Sequence, residues 1–497
     1  MRNTATQSNS LPPLIKDMLY DRHTLVDNLF ADSWQTLGFG SIIKRCGFKK
    51  RSGTDIVTIV YLLLVWRWMH VRSIGKFSNR SLHLFANIHR DGLYDTLKRE
   101  DINWRELNLQ VSKKVHDRHK LSLSQTRTFV LDDSIKSRRG KKMEAVSSHY
   151  DHTSNQQVQG QQVLTLGFAT EDSFLPLDSQ IFVSDKNAQP LIKAYKDGRS
   201  VVAKRYAEAT EQTKVQMATA MLRRATRVGL CADYLVADAW FGNKSMMRET
   251  LSLDMTAILR MKKGKLKYRI RHKGQWVQKD ARQLYGEVVR KRWNKVRNLP
   301  WKVVELKAQV DLSTKTGKHA QADYQPVKLL FVRGVNVQPD TEAAAKSWAL
   351  FLCTDDTLSC SKILETYALR WGIEVYFKEA KQHLGFLQEQ TISFASHTAS
   401  IHLCAVRYLI LMSGKLDCAE ATVGSVRDDI QQQLNTMHFA TQLWQYFRAI
   451  VRGTLKSMAK ALSTTVKEIM TAIDYAIQEF LVSSLQLDAF TLVVEHE

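Results

Sequence analysis

The sequence predicts a multidomain α/β protein: a mixed sheet with helices, interrupted by a β-rich insertion and flanked by helical N- and C-terminal domains. Three observations predict this fold class. The chain has 497 residues, more than a single core usually supports. Apolar runs of strand length alternate with helical patterns in its middle region. Positive charge is concentrated in one segment of that region.

The composition favours a polyanionic partner. Lys and Arg number 72 against 49 Asp and Glu, a net charge of +23, and basic side chains bind phosphates with release of counterions. The amount of positive charge and its placement favour nucleic acid over an anionic membrane. The longest apolar run, Ile56–Trp66, is too short to cross a bilayer. The polar start predicts no signal peptide, the scattered cysteines fit a reducing cytoplasm, and the lack of a P-loop argues against ATP.

Residues 1–120 form the first predicted domain, which is helical and basic. Asp55 to Met69 is predicted to be a core helix, with Thr54 as its N-cap. The basic residues around this helix suit a DNA-binding domain. A helical dimerisation or packing domain fits the same pattern equally well.

Residues 121–262 are predicted to be the first part of an α/β domain. Short β-rich runs and one long amphipathic helix occur here in an alternating order. The predicted strands are Thr126–Leu131, Gln162–Ala169, Leu175–Val183, Tyr234–Ala237 and Thr256–Met261, and the predicted helix spans about Lys204–Val228.

Residues 263–345 are predicted to be a basic, β-rich insertion. Between Arg260 and Lys307 there are 17 Lys and Arg against 3 Asp and Glu, a net charge of +14. Trp276, Trp293 and Trp301 lie among these charges. Basic residues interleaved with aromatic ones suit a surface that grips a phosphate backbone and stacks on bases. The alternative is an insertion with buried Trp side chains and a solvated basic face.

The α/β domain is predicted to resume over residues 346–392. Trp348–Thr354 has strand character, and a helix from about Lys362 to Leu384 follows, with Ser361 as its N-cap. Residues 393–497 are predicted to be a helical packing or dimerisation domain.

Carboxylates lie where an α/β sheet usually carries chemistry. Asp133 and Asp238 each follow an apolar strand, and Glu374 lies on the predicted helix in one stripe with Tyr367, Arg370 and Lys381. Three carboxylates from different elements can hold two divalent ions that stabilise phosphodiester hydrolysis and transfer. The alternative for the helix is a surface element with an Arg370–Glu374 ion pair.

The stripe carries a family resemblance. Tyr367, Arg370, Glu374 and Lys381 have the spacing Y-x2-R-x3-E-x6-K. This resembles the signature of DDE transposases of bacterial insertion sequences, in the Tn-five-like Y-R-E-K group. The resemblance implies a ribonuclease-H-like catalytic domain with an insertion before the Glu-bearing helix. It also implies a first Asp followed by a hydroxyl residue, which favours Asp133-Ser134 over Asp132.

The resemblance implies functional roles for these residues. Asp133, Asp238 and Glu374 would bind two Mg²⁺ ions, for which Mn²⁺ can substitute. Tyr367, Arg370 and Lys381 would contact the terminal phosphates of the transposon end. The basic run Lys136–Lys142, which follows Asp133, is expected to contact DNA through Arg138 and Arg139.

The resemblance also implies an activity and partners. Such enzymes act as homodimers on double-stranded DNA, cleave the paired element ends through hairpins and join the 3′-ends to target DNA, so a cytoplasmic, nucleoid-associated protein is expected. Two alternatives remain open. One is a transposase-derived DNA-binding protein without catalysis, and the other is a structure-specific nuclease without strand transfer.

Overall fold

The computed structural model describes most of the chain between residues 29 and 485. The described residues are 29–69, 71–82, 85, 88–140, 142–151, 155–272, 274–295, 301–314, 321–334, 347–436, 447, 451 and 465–485. The chain divides into two compact units. The helical unit comprises residues 1–107, 382–391 and 395–497, and the sheet unit comprises residues 108–381 and 392–394. The bounds of the five predicted domains remain predictions.

The helical unit contains short helices followed by longer ones near the C-terminus. Its elements are α1 (Leu29–Thr36), α2 (Phe39–Arg45), α3 (Ile56–Val65), a 3-10 turn (Trp66–Trp68), α4 (Ile74–Arg80), α5 (Arg90–Leu97), the start of α6 (Trp104–Arg118), most of α13 (Phe394–Asp417), α14 (423–436) and α15 (Val466–Leu485).

Helix α3 confirms the predicted core helix and corrects its ends. All but one of its residues are buried, and its N-cap is Asp55 instead of Thr54, because the Asp55 side chain accepts a hydrogen bond from the amide of Val57. Its last carbonyls are satisfied by Arg407, which is fully buried and donates to the carbonyls of Leu63 and Leu64. Burial lowers the pKa of Arg407 to about 10.

The sheet unit is built on twelve strands. They are β1 (Thr128–Ser137), β2 (Ser147–Asp151), β3 (Gln156–Ala169), β4 (Phe174–Phe182), β5 (Tyr234–Ala237), β6 (Thr256–Met261), β7 (Lys267–His272), β8 (Gln275–Asp280), β9 (Asn294–Lys295), β10 (Trp301–Asp311), β11 (Tyr324–Gly334) and β12 (Trp348–Cys353). The main order is β2-β3-β1-β5-β6-β12-β11-β10-β7-β8, with β4 beside β3 and β9 beside β10. Only the β1–β5 and β5–β6 pairs are parallel.

Among the residues that the structure describes, this unit contains the rest of α6 and six further helices. They are α7 (Val201–Glu211), α8 (Lys214–Arg227), α9 (Lys244–Ser252), α10 (Ala281–Leu284, followed by a π turn over Tyr285–Val289), α11 (Cys360–Ala368) and α12 (Trp371–Gln382). The predicted mixed α/β fold class is confirmed. The strands of the predicted insertion extend the same sheet, because β11 pairs with β12 and β12 pairs with β6.

Two long predicted helices are each two helices. The helix predicted over Lys204–Val228 is interrupted because Thr213 caps α8, forming a reciprocal capping box with Gln216. The helix predicted over Lys362–Leu384 begins at Cys360, with Ser359 and not Ser361 as its N-cap.

That second helix breaks at Leu369-Arg370, between α11 and α12. Tight i→i−3 hydrogen bonds, including Arg370 N–H to the carbonyl of Tyr367, replace the α-helical pattern there. The predicted single stripe is therefore spread over α11, a turn and α12.

Candidate active site

Strand register brings two aspartates side by side. In the parallel β1–β5 pair, Leu131 is opposite Ala237, so the next residues along the two strands, Asp132 and Asp238, lie next to each other on one face. Strand β1 does not end before its aspartates, as predicted. It continues to Ser137 because β3 pairs with it along its whole length.

Arg370 joins the first aspartate to the glutamate. Its Nη1 donates to Oδ2 of Asp132 at 2.6 Å, and its Nη2 donates to Oε1 of Glu374. The predicted ion pair between Arg370 and Glu374 therefore forms. It is not an isolated pair on the helix surface, because Arg370 also bonds to Asp132 of the sheet. Asp132, Arg370 and Glu374 make a chain of charges running from β1 to α12.

Asp133 is held by different partners. Consecutive residues of a strand point to opposite faces of the sheet, so the side chain of Asp133 points away from that of Asp132. Its Oδ2 accepts from Nζ of Lys214 at 2.7 Å, and its Oδ1 accepts from Nε2 of Gln162 at 2.8 Å. The geometry thus groups Asp132, and not the favoured Asp133, with Arg370 and Glu374.

Both aspartates line one cleft of about 1150 Å³ at the end of the sheet. Asp238 also lines it, with Nη1 of Arg260 at 3.8 Å from its Oδ1. The cleft is polar and rich in cations, which suits an anionic strand. The further cationic residues of its lining are Lys186, Lys214, Lys262, Lys263 and Lys381.

Electrostatics at Asp132 are unusual for a carboxyl group. Burial raises its pKa to about 7, and the charges of Asp133 and Asp238 act in the same direction, while Arg370 opposes them. Burial by itself lowers the pKa of Arg370, but Tyr367 and the two bonded carboxylates outweigh it and raise the pKa overall. The site therefore concentrates negative charge where added positive charge is stabilising.

The other signature residues lie at different depths. The ring of Tyr367 packs edge-on against Phe351 with its hydroxyl buried, and the guanidinium of Arg370 lies 5.9 Å from its centroid. Burial raises the pKa of Tyr367 to about 12. Lys381 lines the cleft, where burial and then the charge of Lys136 lower its pKa.

The predicted basic DNA contacts are partly exposed. Arg139 is exposed, whereas Arg138 is half-buried and donates from Nε to Oε1 of Gln161 at 3.0 Å. In the insertion, Trp276 and Trp301 are exposed, at 49% and 36% of their surface. DNA bound to the surface of the sheet unit could reach the exposed residues Arg139, Trp276 and Trp301.

More insertion residues pair cations with aromatic rings. The guanidinium of Arg269 lies between the rings of Trp276 and Tyr324, at 4.7 and 4.5 Å from their centroids. Trp293 is half-buried, with Arg333 over its ring at 4.4 Å. Of the three tryptophans singled out in the insertion, two are therefore exposed and one is half-buried.

Part of the chain resembles a known protein family. The family model for the DDE superfamily endonucleases matches residues 77–322, just under half of the chain. Over these residues the chain is similar to the DDE superfamily endonucleases. The predicted DDE transposase resemblance and the ribonuclease-H-like fold class are thereby confirmed, whereas the Y-R-E-K subgroup remains a prediction. No curated protein matches this chain.

The family match carries a coarse function. It indicates a nuclease domain of the transposase type, with DNA as the substrate. Both aspartates of the sheet lie inside the matched range, and Glu374 lies outside it. No helix among the described residues is long and apolar enough to cross a membrane.

DDE enzymes generally use divalent metal ions, and the donor chemistry of this chain fits them. Asp132 and Asp238 supply hard carboxylate oxygens in one cleft. In the part of the chain that the structure describes, no group of three or more His, Cys, Asp or Glu is close enough to hold a metal ion. Glu374 is bonded to Arg370.

Sequence reasoning missed several residues of the cleft. Lys214, Arg260 and Trp240 contribute to it from three separate elements, and no motif joins them. One local signal was present, since Trp240 and Phe241 follow Asp238 after a single residue, Ala239. Ligand sites are commonly lined by aromatic side chains together with a few polar groups.

Proposed function

We propose that this protein is a DNA transposase that binds the terminal inverted repeats of an insertion sequence, cleaves them and joins their 3′-ends to target DNA. One observation carries the proposal: Arg370 links Asp132 to Glu374, while the parallel register sets Asp238 beside Asp132. This arrangement supports a DDE site made by two strands and one helix.

We assign Asp132, Asp238 and Glu374 as the carboxylates of the reaction. Asp133 was favoured from the sequence because Ser134 follows it. Its bonds to Lys214 and Gln162 support a positioning role instead, since they hold it apart from Arg370 and Glu374.

The three carboxylates would hold Mg²⁺, for which Mn²⁺ could substitute. Bound divalent ions supply an activated water and stabilise the attacking and leaving oxygens of the phosphodiester. The chain's own cations bind and orient the strand: Arg260 lies beside Asp238, and Lys381 lines the same cleft. Arg370 balances the carboxylates and contacts a terminal phosphate when its pair with Glu374 opens.

The later steps extend the same chemistry. A freed 3′-hydroxyl attacks the opposite strand to form a hairpin, the hairpin is opened, and the 3′-end attacks target DNA. The exposed basic face of the insertion supports a grip on the duplex, with Trp276 and Trp301 among its charges. A homodimer would pair the two ends, with no requirement for ATP.

A pair of matched variants tests the assignment. Asp132→Asn and Asp133→Asn make the same chemical change at neighbouring positions. With labelled DNA carrying both ends of the element and Mg²⁺, or Mn²⁺, we expect Asp132→Asn to lose at least about a thousandfold in cleavage rate. Asp133→Asn should lose about tenfold or less, because it does not hold the metal. The reverse order of losses would return the metal-ligand role to Asp133.

Two measurements separate the transposase from its two alternatives: the activity of Glu374→Gln and the DNA products that the wild type makes. Loss of cleavage with retained binding in Glu374→Gln, together with hairpin ends in the wild type, supports the transposase. Cleavage without joining to target DNA would indicate a structure-specific nuclease. Binding to the ends without cleavage by the wild type in either metal would indicate a transposase-derived DNA-binding protein.

A further inference from the structure

A second basic hollow of the sheet unit lies between helices α8 and α9. It is a groove of about 1200 Å³. Among the described residues that line it, five are cations and one is a carboxylate, with hydroxyl and amide side chains between them. The cations are Arg223, Arg224, Arg227, Lys244 and Arg248, and the carboxylate is Glu249. Cations together with hydroxyls and amides are the side chains that bind the phosphates of DNA.

Ion pairs fix two of these cations in the wall of the groove. Arg224 donates from Nε to Oδ2 of Asp178 at 2.8 Å, and Asp178 is only 1% exposed. Arg223 donates from Nε and Nη2 to the two oxygens of Glu249, at 2.7 and 2.8 Å. The Arg223 side chain nevertheless remains 60% exposed. Both guanidiniums are therefore ordered before a ligand binds, which lowers the entropic cost of binding it.

Two further cations supply charge that these carboxylates do not balance. Arg248 is held by neutral acceptors, because its Nη1 donates to the carbonyl of Leu312 at 3.0 Å and its Nη2 donates to the hydroxyl of Ser245 at 3.2 Å. Arg227 is exposed in the last turn of α8. The groove therefore presents positive charge to solvent, which favours a polyanion.

The groove begins beside the cleft that holds the carboxylates. Lys214 and Phe241 line the cleft, whereas Thr213 and Asn243, close to them in the chain, line the groove. Thr213 and Asn243 are the N-caps of α8 and α9, so the first turns of both helices lie next to the cleft. Groove residues then recur along α8 as far as Arg227, a length of about 20 Å. A duplex in the groove would therefore reach the cleft at one end.

We propose that the groove between α8 and α9 binds the phosphate backbone of target DNA, an inference that rests on the proposed function. An enzyme that joins a 3′-end to target DNA holds a second duplex beside the strand in its cleft, so it needs a second binding surface. Contacts to phosphates carry no sequence information, which suits a partner of variable sequence. The groove offers contacts of this kind directly beside the cleft.

Binding in two steps tests the groove without catalysis. The full-length protein, in EDTA, is first saturated with an unlabelled element end that stops at the cleavage position. A fluorescent duplex of unrelated sequence is then titrated in, and its anisotropy is measured. We expect the double variant Arg227→Gln with Arg248→Gln to bind this second duplex about tenfold more weakly than the wild type. The slope of its log affinity against log salt should fall in magnitude by about 2.

A matched double variant controls for the loss of charge. Lys120→Gln with Lys193→Gln removes two exposed cations elsewhere in the sheet unit and should leave the slope close to that of the wild type. Arg248 also bonds to Leu312, so Arg227→Gln alone, at an exposed position, separates binding from folding. This single variant should unfold at the temperature of the wild type and lower the slope by about 1.

The inference is overturned if the groove variant and the control weaken binding of the second duplex equally. It is also overturned if the groove variant loses as much affinity for an element end, with or without flanking DNA, as for the second duplex. The groove would then hold DNA of the element or its flank instead of target DNA. Such a result leaves the proposed function standing if the wild type cleaves the ends and joins them to target, whereas a wild type that never cleaves counts against the function itself.

Discussion

Single side chains decide which charged groups each carboxylate contacts. Asp132 and Asp133 are neighbours in sequence, yet one bonds to Arg370 and the other to Lys214. The pKa of Asp132 is raised by burial, so its ion pair with Arg370 only partly offsets the cost of placing a charge there. Its partners are the guanidinium of Arg370 and the amide of Asp133, and a further positive charge beside it would stabilise its ionised form.

His149 shows the same effect of burial with the opposite sign. It is 5% exposed, it hydrogen-bonds Ser147 at 2.9 Å, and burial followed by the charge of Lys214 lowers its pKa to about 4. The unfolded chain, with a His pKa near its ordinary 6.5, therefore binds a proton that the folded chain excludes. The resulting stability is present above the unfolded pKa and is lost as the pH falls from about 6.5 to 4.

Replacing His149 by Gln should remove this pH dependence. Between pH 7 and pH 5 we expect the wild type to lose about 2 kcal/mol more of its free energy of unfolding than His149→Gln does. Thermal unfolding at the two pH values measures this, with His89→Gln, at an exposed position, as the control. Parallel losses in all three proteins would show that His149 does not titrate in this way.

At the scale of elements, the turn from Asp238 to Gly242 connects β5 to α9 and brings a carboxylate and an indole into the cleft. Its end is defined by Asn243, whose side chain caps α9 by accepting from the amide of Met246. The contact of Gly242 with the β6 backbone fixes its position against the sheet.

Gly242→Ala should therefore distort this turn. Its Cβ would be 2.3 Å from a backbone oxygen, and overpacking of this kind costs about 1–3 kcal/mol. We expect a lower unfolding temperature and a reduced cleavage rate, since Asp238 and Trp240 are displaced together. Gly264→Ala is the matched control, because its nearest neighbour would be 4.0 Å away. Equal unfolding temperatures for the two variants would contradict this account of the turn.

At the scale of the whole molecule, charge is distributed unevenly. Residues 260–307 carry a net +14 of the chain's +23. DNA binding that depends on this segment should be strongly sensitive to salt, because each phosphate contact releases counterions.

Four exposed insertion cations test this distribution when replaced together by Gln: Lys265, Arg271, Lys291 and Arg292. We expect the slope of log affinity against log salt to fall in magnitude by about 3, near the limit of 0.9 per charge. A control with the same change in net charge replaces Lys120, Lys193, Arg199 and Lys204, which are exposed elsewhere in the sheet unit. An equal change of slope in the two proteins would show that total charge, not the insertion, governs binding.

The sequence by itself determined the elements whose signals are local. Strands β5 and β6 match their predicted ranges because short apolar runs between turn residues have few other structures open to them. The sequence also predicted the reaction class. Carboxylates that follow strands, together with Glu374 close to Arg370 on a helix, indicate phosphodiester cleavage. The helix breaks before Thr213 and at Arg370 were missed, because a capping box or a tight turn competes only weakly with a continuous helical pattern.

The tertiary structure alone decided which aspartate shares Arg370 with the glutamate. A shift of one residue along a strand moves a side chain to the other face, and both Asp132 and Asp133 follow the same apolar run. Pairing of β1 with β5 sets that face by bringing Asp132 beside Asp238. The same pairing, with α8 packed near the sheet, turns Asp133 toward Lys214 and places Lys214 under Trp240. These contacts join residues up to about a hundred positions apart, and no local pattern encodes them.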